Sequence, residues 1–311
     1  MSTRLITVFI FLFFAACKNG KVEFRANSCK GSPPFVKRVA GFNTPKSYFS
    51  TSEIRTMGLV LIENAGTSDK PSLKYYQHPS WKQAGWLSPI QLDNAGNVYT
   101  SPAPFINVLD NPAERQNTIY KVDAATGEMS RYLQIPLPDS LNINNPFGVL
   151  GLIYYCEGNI LYASTIAGSD RYVIRGGIYA IDVKTKKIID RLPAVDAIGM
   201  GISYVTGERR LFYGTGRNSD IFSIQISANG KFIGKPQLAF SLVGLGPRGD
   251  DKVRRIRSDA NGNLLVYGIE FNYNLIPPRE KPESLYEFVY YPDQKQWVCQ
   301  SIQSGNSQNN F

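Results

Sequence analysis

The sequence predicts an all-β fold assembled from repeated four-stranded units, and three observations carry that expectation. Aromatic residues make up 12% of the 311, with 18 Tyr and 17 Phe, beside 27 Gly and 19 Pro. β-prone residues interrupted this often by turn formers suit sheets joined by hairpins rather than a helical bundle. A period of two runs through Ile119 and Lys121, Ile178 and Ala180, and Ile221 and Ser223, as in half-buried strands. Finally, one order of features recurs four times between residues 86 and 303, at about 54 residues per unit: strand, Gly/Asn turn, strand, loop, strand, polar turn, strand.

The first unit has strands over 86–92, 98–100, 118–123 and 128–135, with turns Asp93-Asn-Ala-Gly-Asn97 and Ala124-Ala-Thr-Gly127. The second has strands over 149–155, 160–163, 177–182 and 187–192, and the third over 202–205, 210–213, 220–225 and 237–240. The fourth spans 253–258, 264–267, 285–289 and 296–302, with the turn Asp259-Ala-Asn-Gly-Asn263. Asn-Gly and Thr-Gly pairs supply the positive φ that tight hairpins require. Four-stranded units of this length, none able to bury both faces alone, are the pattern of β-propeller blades; a sandwich or β-solenoid is the competing use of such hairpins. Upstream, 57–64 and 72–77 read as strands of an irregular first blade. The count is therefore five blades, with six as the alternative if 21–26 and 35–42 add strands to a closing blade. No linker or composition shift follows residue 40, so 35–311 is expected to be a single domain.

The amino terminus is an address. Arg4 precedes an apolar run over 5–14 and then Ala15, Ala16 and Cys17, the layout of an export signal. The run is shorter than the about 20 residues that span a bilayer. Phe14-Ala15-Ala16-Cys17 resembles a bacterial lipobox. The resemblance implies cleavage of 1–16, acylation of Cys17, a tether over 17–34, and a lipid-membrane partner in the cell envelope; an ordinary secretory signal is the alternative. Loss of Arg4 takes the net charge from +9 to +8. A basic surface suits anionic partners such as headgroups or acidic glycans, and an exported chain is not expected to meet nucleic acid. Beyond Cys17 three cysteines remain, Cys29, Cys156 and Cys299. They allow one bridge at most: either two stay buried as free thiols, or Cys29 pairs with Cys299 as a closed ring brings the chain ends together.

Asp93-Asn-Ala-Gly-Asn-Val-Tyr99, Asp259-Ala-Asn-Gly-Asn-Leu-Leu265 and Ile119-Tyr-Lys-Val-Asp-Ala-Ala-Thr-Gly127 give the chain a resemblance to propellers of the NHL, TolB and gluconolactonase-like kind found in bacterial lipoproteins. It covers about residues 57–303 and implies the fold. The gluconolactonase-like group further implies a divalent ion, typically calcium, held in the channel by hard oxygen ligands. Such an ion polarises a lactone carbonyl toward water. On that resemblance the matching ligand types are Asn145, Asp196 and Asp250 or Asp251. The family's acidic residue at the start of its first blade has no placed counterpart here, Glu53 and Glu63 being nearest.

Ligands of propellers sit where loops converge at the channel mouth. On the strand assignment these are 78–88, 136–148, 193–201 and 242–252 between units, and 101–117, 164–176, 214–219 and 268–284 within them. The two longest, 101–117 and 268–284, are favoured functional positions. Trp81 and Trp86 offer aromatic platforms there, near Tyr76 and His78. Arg217, Arg248 and Lys252 offer charge-assisted contacts to a carboxylate or phosphate, while Asp250 and Asp251 are expected to neutralise Arg254, Arg255 and Arg257. The single His, His78, excludes His-rich metal sites, and no phosphate loop or Gly-x-Ser-x-Gly elbow is present. The expected function is non-catalytic binding of a protein partner or an anionic small molecule or glycan over the mouth, without a cofactor. The alternative is a calcium-dependent hydrolase of lactones or esters.

Overall fold

The computed structural model describes residues 31–304, apart from 40, 53–55, 65–71, 106 and 276–281. The described strands form five antiparallel sheets, each a meander in chain order. Blade 1 holds β1 (Ser47–Ser50), β2 (Val60–Asn64) and β3 (Leu73–Tyr76). Blade 2 holds β4 (Leu87–Leu92), β5 (Val98–Pro102), β6 (Thr118–Val122) and β7 (Met129–Gln134). Blade 3 holds β8 (Val149–Tyr155), β9 (Ile160–Thr165), β10 (Gly177–Asp182) and β11 (Lys187–Pro193). Blade 4 holds β12 (Ala197–Ser203), β13 (Arg210–Thr215), β14 (Asp220–Ile226) and β15 (Phe232–Ser241). Blade 5 holds β16 (Lys252–Ser258), β17 (Leu264–Ile269), β18 (Ser284–Tyr291) and β19 (Gln296–Ser304). The chain is an all-β, five-bladed propeller.

Two expectations change. The six-blade count gives way to five sheets: the described residues of 35–42 supply no strand, because Pro34–Arg38 is a 3-10 turn that sends Phe35 and Val36 into the core. The segment 21–26 lies outside the described residues. The inner strand of blade 4 begins at Ala197, not at 202. Gly199 and Gly201 hide this start by breaking the apolar pattern. They are there because β12 presses on β16: a Cβ at Gly199 would stand 2.4 Å from the Val253 carbonyl oxygen.

The first strands of blades 2 to 5 lie against one another, β4 on β8, β8 on β12 and β12 on β16, so these strands are innermost. Apolar clusters fill the spaces between successive blades. Trp81, Leu61 and Leu87 pack between blades 1 and 2, and Tyr99, Ile119 and Tyr154 between blades 2 and 3. Tyr162, Met200 and Leu211 lie between blades 3 and 4, and Phe240, Val253 and Tyr286 between blades 4 and 5. Burial of each large side chain is worth about 1.5–3 kcal/mol, which explains why blades that are marginal alone are stable as a stack.

The cysteine expectations are also corrected. Cys299 is a free thiol on the outermost strand of blade 5, so it has no bridge to Cys29. Cys156 is disulfide-bonded, and its partner lies outside the described residues. The N-terminal chain passes close by: Gly31 packs on the backbone of Asp93 and Gly96, and Asn94 of that turn donates to the Cys156 carbonyl at 3.2 Å.

Candidate functional site: the loop-bearing end

In an antiparallel meander the links between second and third strands, and those leading to the next blade, leave at the same end. That end carries a series of buried polar clamps. Asn111, between β5 and β6, accepts from the Trp86 amide at 3.2 Å and donates to the Trp86 carbonyl at 2.9 Å. Asn145, before β8, donates to the carbonyls of Ile166 and Ser169 at 2.9 and 2.8 Å and accepts from the Phe147 amide at 3.0 Å.

Asp196, before β12, is the centre of the largest clamp. One carboxylate oxygen accepts from Ser169 Oγ at 2.6 Å and from the Gly176 amide at 3.2 Å. The other accepts from Tyr273 Oη at 2.8 Å and Arg217 Nε at 3.4 Å. Gly176 is required here, because a Cβ would fall 2.5 Å from Asp196 Oδ1. Arg217 also donates to the carbonyls of Arg171 and Asp170 at 2.9 and 2.7 Å, joining blade 4 to the β9–β10 loop. Burial pushes the Tyr273 phenol up, and the adjacent Asp196 carboxylate adds to it, so Tyr273 remains a proton donor. Tyr273 joins this clamp to an apolar plug that it forms with Ile166, Ile198, Phe147, Leu150 and Phe271.

Asp251, before β16, is held in two-pronged fashion by Arg248 through Nε and Nη2 and accepts from Tyr286 Oη at 2.7 Å. Arg248 also donates to the Pro282 and Gly268 carbonyls and to Ser284 Oγ. Burial disfavours the charged form of Asp251, but the hydrogen bonds from Arg248 and Tyr286 outweigh it and hold the carboxyl below the usual range.

The structure brings Asn145, Asp196 and Arg217 together around Ser169 and the β9–β10 loop. It does not bring the others to them. Trp81 is 0% exposed, with its indole N–H on the Gly127 carbonyl at 2.7 Å, and Trp86 is 8% exposed against Phe105; both are packing residues rather than rim platforms. His78 Nδ1 lies 2.7 Å from Ser80 Oγ and caps the short turn Pro79–Lys82. Asp250 is 76% exposed, 3.8 Å from Lys252 Nζ. Neither it nor Asp251, which pairs with Arg248, neutralises the β16 arginines: Glu283 pairs with two of them, at 3.9 Å from Arg254 and 3.4 Å from Arg255. Glu63 is buried on β2 and holds the Asn43 amide and Lys74. Cys17 and Glu53 lie outside the described residues.

These residues do not fit a calcium ion. Hard oxygen ligands need free lone pairs, whereas both oxygens of Asp196, the central carboxylate, already accept two donors each. Among the described residues no group of three His, Cys, Asp or Glu side chains is placed to hold a metal. Asn111, Ser169 and Tyr273 carried no signal in the sequence, since each acquires its role only through distant partners.

No protein-family model matches the chain, and neither does any curated protein. Among solved structures it is similar to a chain of the nidogen/laminin complex, at 11% identity over 81% of this chain and 91% of that one, TM-score 0.44. It is similar also to the periplasmic gluconolactonase of Pseudomonas aeruginosa, at 12% identity over 86% and 75%, TM-score 0.45. The N-terminal domain of Nup159 aligns at 13% identity over 83% and 59%, TM-score 0.42. Neither the fold nor the chemistry of this chain rests on these likenesses; the fold rests on the sheet topology above.

Proposed function

We propose that the chain is a non-catalytic propeller of the bacterial cell envelope, anchored by a lipid on Cys17, that binds a ligand or protein partner at its loop-bearing end. The occupancy of Asp196 carries this reading. A general base or metal ligand must offer a lone pair to a reacting group within about 2.6–3.2 Å, and this carboxylate already has four donors, one of them Tyr273 of the apolar cluster. Binding needs only a shaped, exposed rim. The loops that leave at this end supply one: Ile143 is 96% exposed, Leu109 86% and Tyr172 75%. Exposed apolar surface marks interaction sites where it is contiguous, and these three side chains stand on loops at the same end.

The test is calcium titration calorimetry on the mature protein together with a lactone and aryl-ester hydrolysis panel. The expected result is no stoichiometric calcium site and no turnover above an Asp196→Asn control. Calcium-dependent turnover that Asp196→Asn abolishes would replace this reading with the hydrolase. The anchor is checked separately by metabolic palmitate labelling, expected to disappear in Cys17→Ala.

A further inference from the structure

We infer that the cleft between blades 2 and 3 at the loop-bearing end binds a small organic anion carrying a carboxylate or phosphate. This deepens the reading above and rests on it, by assigning a ligand class and a place.

The cleft has a volume of about 380 Å³, near the lower end of the range for small-molecule sites, about 300–1,000 Å³. That is room for a compact metabolite and not for a folded partner. Its fixed edge is polar and already satisfied: Thr165 Oγ1 donates to Asn117 Oδ1 at 2.5 Å, and Asn117 Nδ2 donates to the Pro136 carbonyl at 3.1 Å. Leu137, Pro138 and Ile174 give it apolar walls.

Two arginines line the same cleft, Arg175 from the β9–β10 loop and Arg191 from β11. They differ from the other arginines at this end. Arg217 and Arg248 are held by carboxylates and carbonyls through all three guanidinium nitrogens. Among the described residues, neither Arg175 nor Arg191 has an ion pair or a side-chain hydrogen bond. Arg191 is nevertheless positioned. It pairs across strands with Tyr179, and its guanidinium carbon lies 5.1 Å from the centre of that ring. Stacking on an aromatic face restrains the plane of the guanidinium while leaving its N–H edge open to an acceptor. Asp139 is the one carboxylate lining the cleft; Asp170, outside the lining, acts on Arg175 but is shared with Arg217, so the lining itself, two positive groups against one negative, favours an anion. Planar guanidinium groups with unused donors match carboxylate and phosphate oxygens.

The experiment is calorimetric titration of the mature protein with inorganic phosphate, citrate, glucuronate and glucose 6-phosphate. A Kd tighter than about 1 mM is expected for at least one probe, and the carboxylate and phosphate arms separate the two sources of charge. Arg175→Ala and Arg191→Ala should each weaken that binding about tenfold, the scale of one charge-assisted contact. Asp139→Asn should strengthen it a few-fold. Arg175, Arg191 and Asp139 are exposed, so unchanged circular dichroism and Tm are expected in all three variants. Absence of saturable binding by every probe overturns the inference, as does binding unaltered in the double arginine variant. Either failure leaves the non-catalytic reading standing unless ester or lactone turnover is also found, so the two fall to different measurements.

Discussion

At Asp251 two opposed effects act on one carboxylate. Burial alone would raise its pKa, because the charged form loses its hydration. The hydrogen bonds and charge of Arg248, with the Tyr286 hydroxyl, lower it further than burial raises it. A carboxyl whose folded pKa is depressed contributes stability that is complete above its unfolded value of about 3.9 and is lost as pH falls through the folded value. The pair should therefore stabilise the fold fully at neutral pH and fade below about pH 4. Asp251→Asn leaves a partly buried Arg248 without its counter-charge and should cost about 3 kcal/mol at pH 7, the lower end for breaking a buried pair because Arg248 keeps some solvent. Urea midpoints measured from pH 7 down to pH 3 check this: the gap between wild type and Asp251→Asn should narrow only below about pH 4. A gap constant with pH would show that the loss comes from shape and not from charge.

The turns between first and second strands show which elements a sequence can announce. In blade 2 Asp93 Oδ1 accepts from the amides of Ala95 and Asn97, and Oδ2 from Asn97 Nδ2 at 2.7 Å. In blade 5 Asp259 makes the same contacts with Asn261 and Asn263. Each of these contacts spans four residues or fewer, so the Asp, Gly and Asn spacing that signals the turn is the turn's own bonding scheme. Asp259→Ala removes the acceptor for two backbone amides at a partly exposed site and should cost about 1–2 kcal/mol, comparable to losing a helix cap. A shift in urea midpoint with an unchanged m-value is the expected readout. The clamps at the loop-bearing end were not legible in this way. Tyr273 reaches Asp196 from 77 positions away, and Arg217 reaches the Asp170 carbonyl from 47. Asn145 and Asp196 stood out by residue type, yet nothing local separates an open carboxylate from one saturated by distant donors. Trp81 failed for the same reason: its burial is decided by Phe35, Phe49 and Tyr76, which close on it from three different segments.

Across the whole molecule, stability should follow position in the ring. Blades 3 and 4 are covered on both faces, blade 3 by the clusters around Tyr154 and Tyr162 and blade 4 by those around Met200 and Phe240. Blade 1 is different. It has three described strands, and β3 leaves Leu73 and Tyr75 about half exposed. Its cluster with blade 2 centres on Trp81, whose indole also bonds across to Gly127. Segments with fewer buried apolar contacts open at lower free energy than the globular unit as a whole. Hydrogen exchange should therefore release the amides of β1 to β3 well before those of β8 to β14. Trp81→Ala removes the anchor of that contact and should cost about 3–5 kcal/mol, the usual range for emptying a buried Trp site. The cost should fall unevenly: exchange in β1 to β3 should accelerate sharply, while β12 and β13, which share no cluster with Trp81, should change little. Equal acceleration in all five blades would mean that the ring opens as one cooperative unit and that blade 1 is no weaker than its neighbours.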